Sequence, residues 1–189
     1  INDKTILFGL AAIKNVGYKG IQDIINYRKE NGKFESIFDF ANVAINKKIL
    51  ESLILVGACE DLKEHRAQMF ESLEIILDFI SKKQKTNNLN QESLFSGEES
   101  FGLHTPTLFD VAPWSLDECL KYEKQLLGLY ISSNPLEKFE NDLKEFSSYK
   151  NKNLKFHNIR FGGIITTIDY RFDKNGNKWA LLTVDIITT

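Results

Sequence analysis

The run Ile13-Lys14-Asn15-Val16-Gly17 constrains this chain most, because it inserts two turn-forming residues into a stretch with helical apolar spacing. Asparagine and glycine are the residues that most readily adopt left-handed backbone, which a tight turn requires. Apolar residues continue at helical spacing on both sides of the run: Leu10 before it, and Ile21, Ile24 and Ile25 after it. The sequence therefore predicts two helices joined by a short turn, the second ending at Asn31-Gly32.

A turn of this kind can bind DNA through its backbone. Main-chain N–H groups at the start of the second helix can approach a phosphate, and the helix dipole also favours an anion there. A helix-hairpin-helix turn usually carries Gly-hydrophobic-Gly, and Asn15 here takes the first glycine position. We expect Val16 to be buried, Gly17 to leave room for the phosphate, and Gly20 to relax the start of the helix. The candidate DNA-binding residues of this turn are Lys14, Asn15, Val16, Gly17, Lys19 and Gly20.

The spacing alone describes equally well a helical corner that contacts no DNA. A second, looser helix pair extends from residue 45 to Gly57, with Asn46 as a candidate N-cap. It lacks the glycine turn, so we expect it to serve packing more than phosphate binding. Lys47 and Lys48 at its helix start are retained as candidate contacts to the DNA backbone.

Residues 81–112 are predicted to form a linker, because Asn, Gln, Ser, Lys and Glu predominate and apolar residues are few. One apolar pair interrupts it, within Gln91-Glu92-Ser93-Leu94-Phe95. An extended peptide of this form can place Gln91 in a polar subsite and Leu94 with Phe95 in an apolar groove of a partner. The alternative is a chance pentapeptide that packs on its own domain. A second pair, Leu108-Phe109, lacks the glutamine and is predicted to anchor the chain onto the fold.

The C-terminal part of the chain is predicted to pass from helices to a β-hairpin. Residues 113–150 are predicted to be helical, beginning with a Ser115/Glu118 capping box. Residues 151–189 predict a β-hairpin whose turn contains Asn175-Gly176. This part carries six basic and three acidic residues, with aromatic residues between them. Such a pattern is typical of a surface that stacks bases and neutralises phosphates, and equally of an ordinary exposed hairpin.

Bulk composition excludes several classes of protein. Cys59 and Cys119 are far apart and the three histidines are scattered, so we expect reduced thiols, a cytoplasmic location and no metal site. No apolar run approaches the length of a membrane span. The net charge of −2 gives no global argument for nucleic acid. Because Met69 is the only methionine and the β part is short, we expect a segment of a longer polypeptide.

Several stretches together resemble the alpha subunits of bacterial DNA polymerase III. They extend over nearly the whole chain and comprise Phe8 to Gly17, Gly32 to Phe40, Leu50 to Ala58, Arg66-Ala67-Gln68, Pro113-Trp114-Ser115 and Glu123 to Ser132. Two departures from the family pattern are Cys59, where an aromatic is usual, and Ser133-Asn134, where Gly-His is usual. Neither lies at an expected contact.

The resemblance implies a fold that is mainly α with a small β part. It implies a tandem helix-hairpin-helix domain over residues 1–80, the linker, a helical connector over residues 113–150 and a truncated OB-fold β-hairpin over residues 151–189. The family's palm aspartates, which use Mg²⁺, have no match here, so no catalytic residue or cofactor is expected in this segment. The implied partners are primer-template duplex, single-stranded template at the OB part, and a sliding clamp that binds Gln91, Leu94 and Phe95.

Two alternatives stay open on the sequence. A helix-hairpin-helix module of a DNA repair enzyme would share the turn, but it would lack the linker motif and the OB start in this order. A pure interaction domain without DNA contact would agree with the slight net acidity.

Overall fold

A computed structural model describes residues 8–44, 46–92, 104–146 and 160–186. The chain divides into two compact units, Ile1–Ser132 and Ser133–Thr189. The first is helical and the second carries an antiparallel β-hairpin. The prediction of a mainly α fold with a small β part is thus confirmed.

The described residues of the first unit form a short 3-10 turn, Leu10–Ala12, followed by six helices. These helices are α1 (Tyr18–Asn31), α2 (Ile37–Val43), α3 (Lys47–Leu55), α4 (Arg66–Glu71), α5 (Leu73–Glu92) and α6 (Leu116–Leu127). Helix α3 is central, because it contacts α4, α5 and α6.

Local sequence signals set most helix ends. Ser36 caps α2 by accepting the Asp39 N–H, and Asn46 caps α3 by accepting the N–H groups of Lys48 and Ile49. Ser115 and Glu118 form the predicted capping box of α6. At the C-terminal ends, Gly32 and Gly128 have φ values of 87° and 80°, so the predicted stop of α1 at Asn31-Gly32 is confirmed and α6 ends in the same way.

One apolar core unites the helices of the first unit. Its fully buried members come from α1, α2, α3, α4 and α5: Ile24, Ile37, Leu50, Leu53, Ile54, Met69, Ile76 and Ile80. Leu126 of α6 joins them, and Trp114 packs against them. Leu108 also packs on this core, and the Phe109 N–H donates to the buried Ser72 Oγ at 2.9 Å. The predicted anchoring role of Leu108-Phe109 is confirmed.

Two predicted boundaries differ from the structure. Helix α5 continues to Glu92, although the linker was predicted to start at residue 81. Its last twelve residues contain no glycine or proline that would stop a helix, and a Lys82–Asp78 ion pair adds i,i+4 support. Helix α5 follows α4 directly, because Ser72 ends α4 and α5 begins at Leu73.

The predicted connector over residues 113–150 is also divided. Helix α6 belongs to the first unit, and the chain passes into the second unit after Ser132. The reason is that α6 is amphipathic and buries Leu120 and Leu126. Composition alone does not indicate that this helix packs with the helices of residues 1–80.

The second unit contains a 3-10 turn, Glu137–Phe139, helix α7 (Glu140–Phe146) and strands β1 (Gly163–Phe172) and β2 (Lys178–Ile186). The strands pair antiparallel with Phe172 opposite Lys178, and a bulge lies between Ile165 and Thr167. Gly176 has a φ of 82° at the predicted turn. Hydrogen bonds from Asn177 and Asn175 to the Asp173 carboxylate hold the pKa of that carboxyl below its usual value.

Candidate nucleic-acid interface

The turn at residues 13–17 has the backbone that its sequence predicts. Asn15 has a φ of 69° and is the single non-glycine residue with positive φ in the described part of the chain. Its side-chain Nδ2 donates to Ser52 Oγ of α3 at 3.2 Å, which fastens the turn to the central helix. Asparagine thus supplies both the left-handed conformation and an anchor that glycine could not provide.

The apolar residues of the turn face inward. Ile13 and Val16 are both buried in the core, so the predicted burial of Val16 is confirmed. The Val16 N–H donates to the Ile13 carbonyl at 3.2 Å and closes the turn. The turn is therefore held from the inside, which leaves its outer backbone facing solvent.

Gly17 occupies the N-cap position of α1, and nothing in its own surroundings requires a glycine. Its φ of −77° and ψ of 153° suit any residue. Within the described residues no atom lies within 4 Å of the position that a Cβ would take. The missing side chain therefore leaves open space beside the first N–H groups of α1.

Those N–H groups are not capped by a side chain, in contrast to α3. The helix ladder of α1 starts with the Ile21 N–H, which donates to the Gly17 carbonyl at 3.3 Å, and among the described residues no side chain caps the N–H groups before it. At α3 the Asn46 carboxamide accepts the N–H groups of Lys48 and Ile49 at 2.9 and 3.3 Å. The first helix start can therefore accept an external anion, whereas the second is satisfied internally.

The candidate lysines differ in their exposure and in whether they form an ion pair within the protein. Lys14 and Lys19 are exposed on either side of the turn. Lys47 forms an ion pair with Glu74, and this hydrogen bond raises the pKa of the lysine. Lys48 is exposed next to the capped end of α3. Lys14 and Lys19 thus flank Gly17 along the chain with exposed side chains, whereas Lys47 and Lys48 lie at the start of α3.

Gly20 has a packing role that the sequence did not indicate. A Cβ there would lie 3.0 Å from Ile49 Cδ1, so the glycine allows α1 to approach α3 closely. The expectation that Gly20 also relaxes the start of α1 stays a prediction.

Helix α6 is also part of the site, which the sequence did not predict. The Lys14 N–H donates to the Leu126 carbonyl at 3.0 Å, near the C-terminal end of α6. This bond satisfies one of the carbonyls that a helix end leaves without an intrahelical partner. The turn therefore rests on α3 through Asn15 and on α6 through Lys14.

A buried polar cluster fixes α6 in turn. Arg66 Nη1 donates to Glu123 Oε1 at 3.1 Å, Arg66 Nε donates to Glu60 Oε1 at 2.7 Å, and Arg66 Nη2 donates to Ser132 Oγ at 3.1 Å. The Glu123 side chain is 0% exposed. A Cβ on Gly57 would lie 2.2 Å from Arg66 Nη2, so glycine makes room for the guanidinium.

The carboxylate of Glu123 remains charged inside this cluster. Its oxygens accept the Ile131 and Ser132 N–H groups at 2.7 and 3.0 Å and also the Ser132 hydroxyl. Burial alone would raise the pKa of Glu123, but the hydrogen bonds from Ser132, Ile131 and Arg66 outweigh it and lower the pKa. The sequence feature that could have revealed this buried carboxylate is the helical spacing of Leu120, Glu123 and Leu126, which places a carboxylate on an apolar helix face.

The linker motif lies largely outside the described residues. Helix α5 ends at Glu92, so the backbone of Gln91 is helical there, whereas Leu94 and Phe95 are outside the described part. The prediction for Gln91, Leu94 and Phe95 stays a prediction.

The β-hairpin of the second unit carries basic and aromatic side chains on its surface. Arg171 lies over the Trp179 ring at 5.7 Å, and Lys178 lies over the Tyr170 ring at 4.1 Å. All four side chains are exposed. The pattern that the sequence indicated is therefore present as a mixed basic and aromatic surface on two paired strands.

Other candidate chemistry is limited. Cys59 and Cys119 are free thiols, and burial raises the pKa of Cys59 to about 12. Among the described residues no three His, Cys, Asp or Glu side chains are grouped so that they could hold a metal ion. None of the described helices combines the length and apolar character needed to cross a membrane.

Comparison with known proteins agrees with this geometry. The family model of the helix-hairpin-helix motif matches residues 1–69, which include both helix pairs. The chain is 30% identical to a DNA polymerase III subunit alpha of Saccharopolyspora erythraea over 95% of its length, and 32% identical to that of Borreliella burgdorferi over 94%. A DNA polymerase III subunit alpha of Neisseria meningitidis is 28% identical over 97% of the chain. The chain spans 16% of the length of each of these relatives.

Proposed function

Because the chain belongs to the family of DNA polymerase III alpha subunits, we propose that it holds primer-template duplex and a sliding clamp for DNA synthesis. In this proposal nucleotidyl transfer and its Mg²⁺ belong to palm aspartates elsewhere in the polymerase. The segment contributes affinity and position, and the chemistry takes place at another site.

The observation that carries the proposal is the uncapped start of α1 beside Gly17. Its N–H groups lack a side-chain cap, the space beside Gly17 is open, and exposed Lys14 and Lys19 flank it. Backbone N–H groups at a helix N-terminus bind a phosphate without reading base edges. Binding without sequence preference is what a polymerase requires of the part that holds its product.

Replacing Lys14 and Lys19 with alanine tests this assignment. Each change is expected to lower the slope of log affinity against log salt by about 1, because each lysine releases counterions from one phosphate. The measurement is fluorescence anisotropy of a short duplex across a salt series. Lys29→Ala, near the other end of α1, is the control and should leave the slope unchanged. If none of the three substitutions changes the slope, Lys14 and Lys19 do not bind DNA phosphates and the assignment is wrong.

The clamp assignment rests on the sequence of the linker motif, which begins at Gln91 in the last turn of α5. Changing Leu94 and Phe95 to alanine is expected to weaken binding to a sliding clamp at least tenfold, because the two side chains supply the apolar anchors. The measurement is surface plasmon resonance with immobilised clamp. Phe109→Ala is the matched control, since Phe109 follows a leucine and is exposed but is held by its own backbone hydrogen bond. Unchanged clamp affinity in the Leu94/Phe95 variant would show that the motif is a coincidence.

We also propose that the β-hairpin belongs to an OB domain that contacts single-stranded template. The mixed basic and aromatic surface around Arg171 and Trp179 supports it, because bases can stack on such rings while cations neutralise phosphates.

A further inference from the structure

Tyr18 is a large side chain that the fold leaves uncovered next to the turn. It is the first residue of α1, directly after Gly17, and it is 73% exposed. That is the largest exposure among the exposed large hydrophobic side chains described in either unit. Within the described part of the chain its ring makes no stacking contact and its hydroxyl no hydrogen bond. Folding therefore gives no account of a tyrosine at this position.

The position becomes informative when the neighbours are considered. Lys14 and Lys19 are exposed on the same segment, and among the described residues no atom lies within 4 Å of the place that a Cβ on Gly17 would take. A phosphate bound at the start of α1 would bring its adjoining deoxyribose towards the first exposed side chain of the helix, which is that of Tyr18. A sugar offers an apolar face and is the same for every base, so an aromatic ring can pack on it without reading sequence.

We propose that Tyr18 is a DNA-contacting residue whose ring packs on the deoxyribose next to the phosphate bound at the start of α1. This inference rests on the proposed function and adds an apolar contact to a site that otherwise consists of backbone N–H groups and lysines. The contact supplies affinity that does not depend on counterion release. It also limits how far the duplex can rotate about the bound phosphate.

The ring contact can be separated from charge effects by a salt series. Tyr18→Ala is expected to weaken duplex binding about tenfold, while the slope of log affinity against log salt stays that of the wild type. Tyr18→Phe keeps the ring and should bind within about twofold of the wild type. Because Tyr18 is exposed, both variants should unfold at the wild-type temperature, which a thermal melt checks.

The matched control is Leu116→Ala. Leu116 is likewise the first residue of a helix and is 54% exposed, but its helix start is closed by the Ser115 capping box. It should bind as the wild type does. Wild-type affinity of Tyr18→Ala, or an equal loss in Tyr18→Phe, would overturn the ring contact. Failure of the wild-type chain to bind duplex would instead reject the proposed function itself.

Discussion

Arg66→Met is expected to lower the free energy of unfolding by about 3–5 kcal/mol, although Arg66 has no contact with the proposed DNA site. The change leaves Glu123 charged and 0% exposed, with its guanidinium partner removed. A buried ion pair contributes little compared with two apolar residues, but removing one partner leaves a desolvated charge. Urea unfolding followed by circular dichroism measures the loss.

Two further variants make this prediction specific. Lys82→Met removes one partner of the exposed Lys82–Asp78 pair and should cost less than about 0.5 kcal/mol. Adding Glu123→Gln to Arg66→Met should recover part of the loss, because the glutamine carbonyl still accepts the Ile131 and Ser132 N–H groups without a charge. Additive losses in the double variant would contradict the assignment of Glu123 as the uncompensated group.

Gly17→Asp is expected to weaken duplex binding by about tenfold to a hundredfold without lowering the stability of the fold. Aspartate is a good N-cap, and the space beside Gly17 accommodates it, so α1 should form as before. Its carboxylate would occupy the space in which the phosphate is proposed to bind. The negative charge would also offset the positive potential at the start of α1 that attracts a phosphate. Fluorescence anisotropy gives the affinity, and a thermal melt gives the stability.

The controls for Gly17→Asp separate charge from shape. Gly17→Asn adds a neutral side chain of the same size, so the difference between the two variants reports electrostatic repulsion. Ser115→Asp adds the same charge at the N-cap of α6, which is not assigned to DNA, and should retain wild-type affinity. Equal affinity for duplex in Gly17→Asp and wild type would show that the turn does not bind phosphate.

Features that depend on neighbouring residues could be predicted from the sequence. The left-handed Asn15, the caps at Asn46 and Ser115 and the stop at Gly32 all arise within one turn of helix. In each case a short-range steric or hydrogen-bonding preference decides the conformation. The mainly α fold and the β-hairpin followed from the same kind of signal.

Features that depend on distant residues could not be predicted in this way. The Lys14 N–H reaches the Leu126 carbonyl across more than one hundred positions, and Arg66 pairs with Glu123 across 57. Nothing local to either partner specifies the other. The extension of α5 to Glu92 was missed for a different reason, because polar residues without glycine or proline can continue a helix that tertiary packing has already started.

The consequence for function is that the support of the proposed DNA site extends beyond the two helix pairs. The turn is fixed by α3 and by α6, and α6 is fixed by the Arg66–Glu123 cluster. A rigid support of this kind limits the backbone motion that would otherwise weaken N–H contacts to a phosphate. The segment with the proposed DNA site is therefore the first unit as a whole rather than the motif alone.

The most direct test is nuclear magnetic resonance of the backbone amides during titration with a short duplex. Binding of phosphate at the turn predicts that the largest shifts occur at the N–H groups of Gly17, Tyr18, Lys19 and Gly20. The N–H groups of Lys48 and Ile49, which Asn46 already caps, should shift little. Large shifts at the start of α3 with none at the start of α1, or no shifts at either, would contradict the assignment of the turn.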